Sequence, residues 1–176
     1  MSQYEEFVEV ILGLPPLRGP EPRLRLAVAA VWEPVVFVTV IAAGPALSLN
    51  VIISGSQTVD IMKKAVAEGT PPTPDPTRRV YTGRALTEHE ATLSRHMNDT
   101  AWALTDRAST GMDGHTVTTD VYDPARGTHR AQQWCPPHRS AMGELMWDLV
   151  LAGGTLDPTL LERYWVREAR DARAKT

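Results

Sequence analysis

The sequence places a thiol and an imidazole close together in one short segment. Cys135 and His138 are three residues apart in a Cys-Pro-Pro-His run. A thiol beside an imidazole can form an activated thiolate, and the two side chains can also supply half of a zinc site. In a catalytic interpretation, Cys135 is the nucleophile and His138 or His129 is its base.

The residues around this pair do not complete such a site. No Gly-rich turn that could form an oxyanion hole adjoins Cys135, and a metal would need more ligands from His89, His96, His115 or His129. A cysteine at the end of a strand is more often packed as a small apolar side chain. The sequence therefore predicts no catalytic residue, no metal and no cofactor, and a thiol- or metal-dependent enzyme stays the alternative.

Other motifs and the composition exclude several common functions. The sequence contains no G-x-S-x-G, Walker-type, G-x-G-x-x-G, H-E-x-x-H or C-x-x-C motif. Its 18 basic and 21 acidic side chains give a formal net charge of -3, and no segment concentrates Lys or Arg for binding phosphates. We therefore expect neither nucleotide chemistry nor nucleic-acid binding.

The single cysteine and the amino terminus predict where the chain works. One cysteine excludes an internal disulfide, and a reducing compartment is the simplest environment. The acidic start of the chain does not resemble a secretion signal. The apolar stretch at 35–54 is interrupted by Gly44 and Pro45, so two buried strands joined by a turn explain it better than a membrane span. We expect a cytoplasmic protein without a membrane segment.

Periodicity along the chain predicts helices around a sheet. Leu24, Leu26 and Val28 alternate with Arg25 and Ala27, a pattern typical of a strand. Two further alternating runs flank the turn at 123–127, and symmetric pairing about its centre would place Asp120 opposite Arg130. Apolar residues at helical spacing predict helices at 4–12, 140–152 and after 157. The His pair at 89 and 96 is expected on a solvated helix surface.

These elements predict one domain over residues 1–176. Its fold class is α+β, with a mainly antiparallel sheet of about five or six strands covered by helices. A Pro-rich loop at 70–77 is expected to be exposed and open to proteolysis. The charged tail at 167–176 is expected to be a solvated, fraying helix.

A series of short motifs resembles a pattern found in small uncharacterised bacterial proteins. That pattern has an R-x-L-T-x-x-E segment, a W-x-L, a D-G turn and a strand that ends in R-W-x-P before an apolar helix. The matching segments are Arg84-Ala85-Leu86-Thr87 with Glu90, Trp102-Ala103-Leu104, Asp113-Gly114, Arg130 and Trp134-Cys135-Pro136. The chain departs at Val117, where the pattern has Trp, and near His129. The resemblance covers less than half of the chain and implies an α+β domain with a hairpin between helices, without an established activity.

The sequence is thus most consistent with a non-catalytic domain that binds another protein. Small acidic bacterial domains of this type include immunity- or antitoxin-like inhibitors of toxins. We expect the carboxylates of Asp106, Asp113, Asp120 and Asp123 to form the surface that attracts a basic partner. A structural or assembly subunit is the third class, and it predicts a homo-oligomer joined through an open strand edge in residues 24 to 54.

Overall fold

Apolar and alternating segments form the strands of one sheet. The computed structural model describes residues 3–107 and 114–175. Within those residues the strands are β1 Arg23–Ala30, β2 Val36–Ala43, β3 Ala46–Ile53, β4 Arg79–Arg84, β5 His115–Asp123 and β6 Gly127–Trp134. All neighbouring strands are antiparallel, in the order β4-β3-β2-β1-β5-β6.

Helices cover this sheet. They are α1 Gln3–Leu12, α2 Thr58–Glu68, α3 Thr87–Arg95, α4 Ala101–Ala103, α5 Ala141–Gly154 and α6 Tyr164–Ala174. A π-helical turn, His96–Thr100, joins α3 to α4, and a 3-10 turn, Pro158–Glu162, precedes α6. The predicted α+β class with an antiparallel sheet is confirmed.

Strand alternation gives the sheet an apolar inner face. Leu24, Leu26 and Val28 of β1 are at most 1% exposed, and their spacing of two places them on the same face. Leu145 and Leu149 of α5 belong to the same core cluster and are fully buried. The larger part of the hydrophobic core therefore lies between the inner face and the carboxyl-terminal helices.

The outer face is covered unevenly. Ile11 and Leu12 of α1 pack with Ile52 of β3 and Phe37 of β2 in a second apolar cluster, to which α2 adds Met62. These contacts place α1 and α2 over the β2–β3 side of the sheet. The β1–β5 side of the same face stays partly accessible, since Ala27, Ala29 and Thr118 line an open groove there.

The two hairpins expected from the sequence are present. Thr116 lies opposite Trp134 and Asp120 opposite Arg130, so the symmetric register is confirmed. The apolar stretch at 35–54 forms β2 and β3 with a tight turn between them. Across the described ranges, none of the helices combines the length and the apolar character needed to cross a bilayer.

The strands within residues 24 to 54 are all internal, so the expected open edge there is wrong. The physical reason is that β1 pairs with β5 as well as β2, and β3 pairs with β4 as well as β2. The sheet edges are β4 and β6 instead. Beside β6, the Arg107 N–H donates to the Gln132 carbonyl at 3.1 Å, and the Gln132 N–H donates to Asp106 Oδ1 at 2.8 Å.

The Pro-rich loop at 70–77 is exposed over most of its length but is anchored at one carboxylate. Asp75 is fully buried. The Thr58 hydroxyl donates to its Oδ2 at 2.5 Å, and the Thr77 N–H donates to its Oδ1 at 2.8 Å. Burial alone would raise the pKa of Asp75, but the hydrogen bonds from Thr58 and Thr77 hold this pKa below its usual value.

The charged tail is more tightly packed than its composition predicts. Helix α6 continues to Ala174, and Ala169 in its middle is 1% exposed. Arg173 lies 2.9 Å from Glu144 of α5 in an ion pair. The tail at 167–176 is thus helical up to Ala174 and mostly exposed, as expected for a solvated helix, and one face of it also contacts the core through Ala169.

Candidate functional site

The hairpin register brings the thiol to a histidine that is not His138. Cys135 follows the last residue of β6, opposite His115 at the start of β5, and its Sγ lies 4.0 Å from His115 Nδ1. The His115 backbone N–H also donates to this sulfur at 3.4 Å. Cys135 is exposed and has a φ of 40°, a conformation that non-glycine residues rarely adopt.

The electrostatics of His115 weaken it as a base for this thiol. The side chain is 4% exposed and its ring centroid lies 6.0 Å from that of Trp165. Burial, with a smaller contribution from the charge of His138, lowers the pKa of His115 to about 4. The imidazole is therefore neutral near pH 7 and accepts a proton from a thiol only at an energetic cost.

Of the two bases expected for Cys135, His129 has another role. His129 Nε2 donates to the Leu104 carbonyl at 2.9 Å, and its ring stacks on Trp102 with centroids 6.1 Å apart. Six residues of extended strand, ~20 Å, separate His129 from Cys135. His138 lies in the turn before α5, where its carbonyl accepts from Arg173 Nη2 at 2.8 Å. The grouping of Cys135 with His129 is therefore wrong.

The four predicted carboxylates do not form one exposed surface. Asp106 caps the edge of β6, and Asp123 Oδ1 accepts the N–H of Ala125 at 2.8 Å in the β5–β6 turn. Asp120 is only 5% exposed, because it lies on the sheet beneath neighbouring side chains. Asp113 is outside the described residues. In those residues, no three His, Cys, Asp or Glu side chains are grouped so as to hold a metal ion.

A groove with a volume of about 590 Å³ lies on the accessible half of the outer face. We call it the outer groove. Its floor is made by Ala27 and Ala29 of β1 and Thr118 of β5, and its wall includes Val8 and Leu12 of α1. Volumes between about 300 and 1,000 Å³ with apolar walls and a few polar groups are typical of binding sites.

One end of the outer groove, which we call the polar end, holds two ion pairs. Arg25 Nη1 donates to Glu9 Oε1 at 2.9 Å, and Arg130 Nε donates to Asp120 Oδ1 at 2.6 Å. Arg130 Nη2 also donates to Asp120 Oδ2 at 3.1 Å, so the pair is bidentate. These four residues also line a smaller cavity of about 160 Å³, which Arg18 borders.

Burial makes Asp120 the unusual titrating group of this end. Loss of water raises the pKa of Asp120 to about 6, with Glu9 adding to the increase and Arg25 opposing it. The carboxylate is therefore ionised at pH 7.5 and substantially protonated at pH 5.5.

A second buried histidine lies outside the groove. His96 is 1% exposed, and its Nε2 lies 2.7 Å from Asp148 Oδ2 of α5. The expectation that His96 is on a solvated surface is wrong, because its side chain is buried against α5, within hydrogen-bond distance of Asp148. Its place in the core makes it a packing and hydrogen-bonding residue.

Two patterns in the sequence indicate site residues that are not among the predicted ones. The register that pairs Asp120 with Arg130 also places His115 opposite Cys135. Arg23 and Arg25 alternate with leucines in β1, which indicates that one face of this strand carries charged side chains and is not part of the apolar core. By contrast, the contact of Glu9 with Arg25 joins residues 16 positions apart and has no local signal.

Comparison with known proteins does not assign the chain to a family. No family model, curated protein or solved structure matches the chain.

Proposed function

We propose that this chain is a non-catalytic protein-binding domain that takes an amphipathic helix of its partner into the outer groove. The observation that carries the proposal is the groove itself, which lies where a sheet of this kind would normally carry another helix. Helices α1 and α2 occupy the other half of the same face. The partner would complete this layer.

The dimensions and side chains of the outer groove favour a helix as the occupant. The distance from β1 across β5 to β6 is ~10 Å, and a helix with its side chains is about 10–12 Å wide. Ala27, Ala29 and Thr118 are small, so a helix backbone can approach the sheet closely. Val8 and Leu12 offer an apolar wall for one side of that helix.

An exposed aromatic side chain close to the outer groove supports protein recognition there. Trp32 is 83% exposed in the turn between β1 and β2, and its neighbour Val31 is 44% exposed. Ala29 and Val35, which flank this turn, both line the outer groove. Tryptophan is enriched among the residues that dominate binding energy at interfaces.

The specific form that we propose is an immunity- or antitoxin-like inhibitor of a bacterial toxin, acting in the cytoplasm. A lone cysteine suits a reducing compartment, and a net charge of -3 suits a protein partner better than nucleic acid. Co-expression with the products of neighbouring genes tests this form. The chain should restore growth to cells that one such product arrests, and Thr118→Trp should abolish that rescue.

A direct test uses displayed helical peptides of about 16 residues with a fixed apolar face and random polar positions. Peptides selected on the wild-type protein should lose about tenfold or more in affinity for Thr118→Trp, because the indole fills the groove floor. Thr82→Trp is the matched control, since Thr82 is on the exposed strand β4, ~19 Å away by strand spacing. Selection of no peptide, or of peptides equally sensitive to both variants, contradicts the proposal.

The competing proposal is a thiol-dependent enzyme with Cys135 as nucleophile and His115, rather than His138 or His129, beside it. The 4.0 Å contact and the φ of 40° at Cys135 favour it. The lowered pKa of His115 opposes it, because proton transfer from the thiol would charge a buried imidazole. An imidazolium at His115 near pH 7 would favour the enzyme, and a neutral imidazole there would oppose it.

A further inference from the structure

Arg25 is a buried cation whose hydrogen-bonding capacity is incompletely used. Its side chain is 7% exposed and lines both the outer groove and the smaller cavity. Nη1 donates to Glu9 and Nη2 to the Pro15 carbonyl. Its Nε is buried and makes no hydrogen bond within the described residues. A buried unsatisfied donor is costly, and an acceptor from outside that lies in either cavity lined by Arg25 would stabilise this guanidinium.

The charges at the polar end favour an anion as that acceptor. Three cations, Arg18, Arg25 and Arg130, face two anions, Glu9 and Asp120, which leaves one excess positive charge. A carboxylate would balance this charge and can accept two parallel N–H bonds from a guanidinium. A basic group would instead add to the excess.

We propose that the polar end of the outer groove recognises an acidic side chain, Asp or Glu, on the partner helix. This inference rests on the proposed binding of a helix in the groove and adds its chemical specificity. The apolar face of the helix would lie over Ala27 and Ala29, and its acidic residue would lie beside Arg25 and Arg130.

The same geometry makes recognition depend on pH. Asp120 is faced by Glu9 from α1, Arg25 from β1 and Arg130 from β6, with Arg18 at the border of the smaller cavity. When Asp120 is ionised, it repels an incoming carboxylate and accepts hydrogen bonds from two nitrogen atoms of Arg130. Protonation of Asp120 removes that negative charge, so an acidic helix should bind more tightly at pH about 5.5 than at about 7.5.

The experiment uses the tightest peptide from the display selection and its version with every Asp and Glu replaced by Asn and Gln. The acidic peptide should bind the wild-type protein about tenfold more tightly than the neutral version at pH about 7.5, with a larger ratio at about 5.5. Asp120→Asn should bind the acidic peptide with the higher affinity at both pH values. Arg130→Gln should reduce the preference for the acidic peptide.

Asp123→Asn is the control for net charge, because it makes the same charge change in the β5–β6 turn. It should leave both the preference and its pH dependence unchanged. Peptides that are sensitive to Thr118→Trp but bind equally in acidic and neutral forms overturn the inference and leave the groove proposal standing. An Asp120→Asn protein that keeps the wild-type pH dependence also overturns it, whereas the absence of any Thr118-sensitive peptide overturns the proposed function itself.

Discussion

The chemical character of Cys135 depends on one neighbouring imidazole. His115 is within 4.0 Å of the sulfur, yet it is buried and faces the charge of His138. A thiolate–imidazolium pair needs a proton on His115, and burial disfavours that charged form. At the scale of single residues, the site is therefore an exposed thiol in contact with a buried imidazole that is neutral near pH 7.

The imidazole titration of His115 provides a direct check. We expect its NMR midpoint near pH 4, and we expect His138→Gln to raise this midpoint while leaving it below 6.5, because burial is the larger cause. A midpoint above about 7 in the wild-type protein would establish the ion pair and favour the enzyme proposal.

At the scale of elements, Asp75 connects the Pro-rich loop to the start of α2. Its two oxygens accept hydrogen bonds from Thr58 and Thr77, and its own N–H donates to the Ile11 carbonyl at 2.7 Å. The carboxylate of Asp75 thus ties the loop to α2, and its backbone N–H ties the loop to α1. Both helices contribute residues to the lining of the outer groove.

We expect Asp75→Asn to lower the free energy of unfolding by about 2–3 kcal/mol, because hydrogen bonds to a buried charge are lost. The loop at 70–77 should then be cleaved faster in limited proteolysis. Asp60→Asn makes the same chemical change on the exposed first turn of α2, so it should lower the unfolding energy by less than about 1 kcal/mol and leave the cleavage rate unchanged. Equal behaviour of the two variants would show that Asp75 does not anchor the loop.

Local patterns predicted the elements better than they predicted the environment of individual side chains. The β5–β6 hairpin followed from its alternation and turn residues, and its register followed from symmetry about the turn. The burial of Asp75 and His96 was not predictable, because each depends on contacts with distant segments: Ile11 and Thr58 in one case, Asp148 in the other. The outer groove was missed because its wall and floor come from separate elements.

At the scale of the whole molecule, two buried titrating groups act in opposite directions on stability. The raised pKa of Asp120 gives stability that is present below pH 3.8 and lost as the pH rises through about 6. The lowered pKa of His115 gives stability that is present above pH 6.5 and lost as the pH falls through about 4. Between pH 4 and 6 the two contributions largely offset each other.

Single substitutions should separate these contributions. Relative to the wild-type protein, Asp120→Asn should gain on the order of 3 kcal/mol of unfolding free energy as the pH rises from about 4 to 7. His115→Gln should show a relative gain of similar size as the pH falls over the same range. Urea unfolding at several pH values measures both changes. If the unfolding free energies of the two variants, relative to the wild-type protein, changed in the same direction as the pH rises, these assignments would be contradicted.

The position of Trp32 gives the molecule a built-in optical reporter. Of the five tryptophans, Trp165 is 1% exposed and Trp102, Trp134 and Trp147 are partly covered. Trp32 is 83% exposed, in the turn between Ala29 and Val35, two residues that line the outer groove. A collisional quencher such as iodide reaches this indole first. A partner that binds in the groove and covers Trp32 should reduce the quenching of its fluorescence by iodide, without any added dye. The Trp32→Phe protein measures the fluorescence that comes from the other four tryptophans.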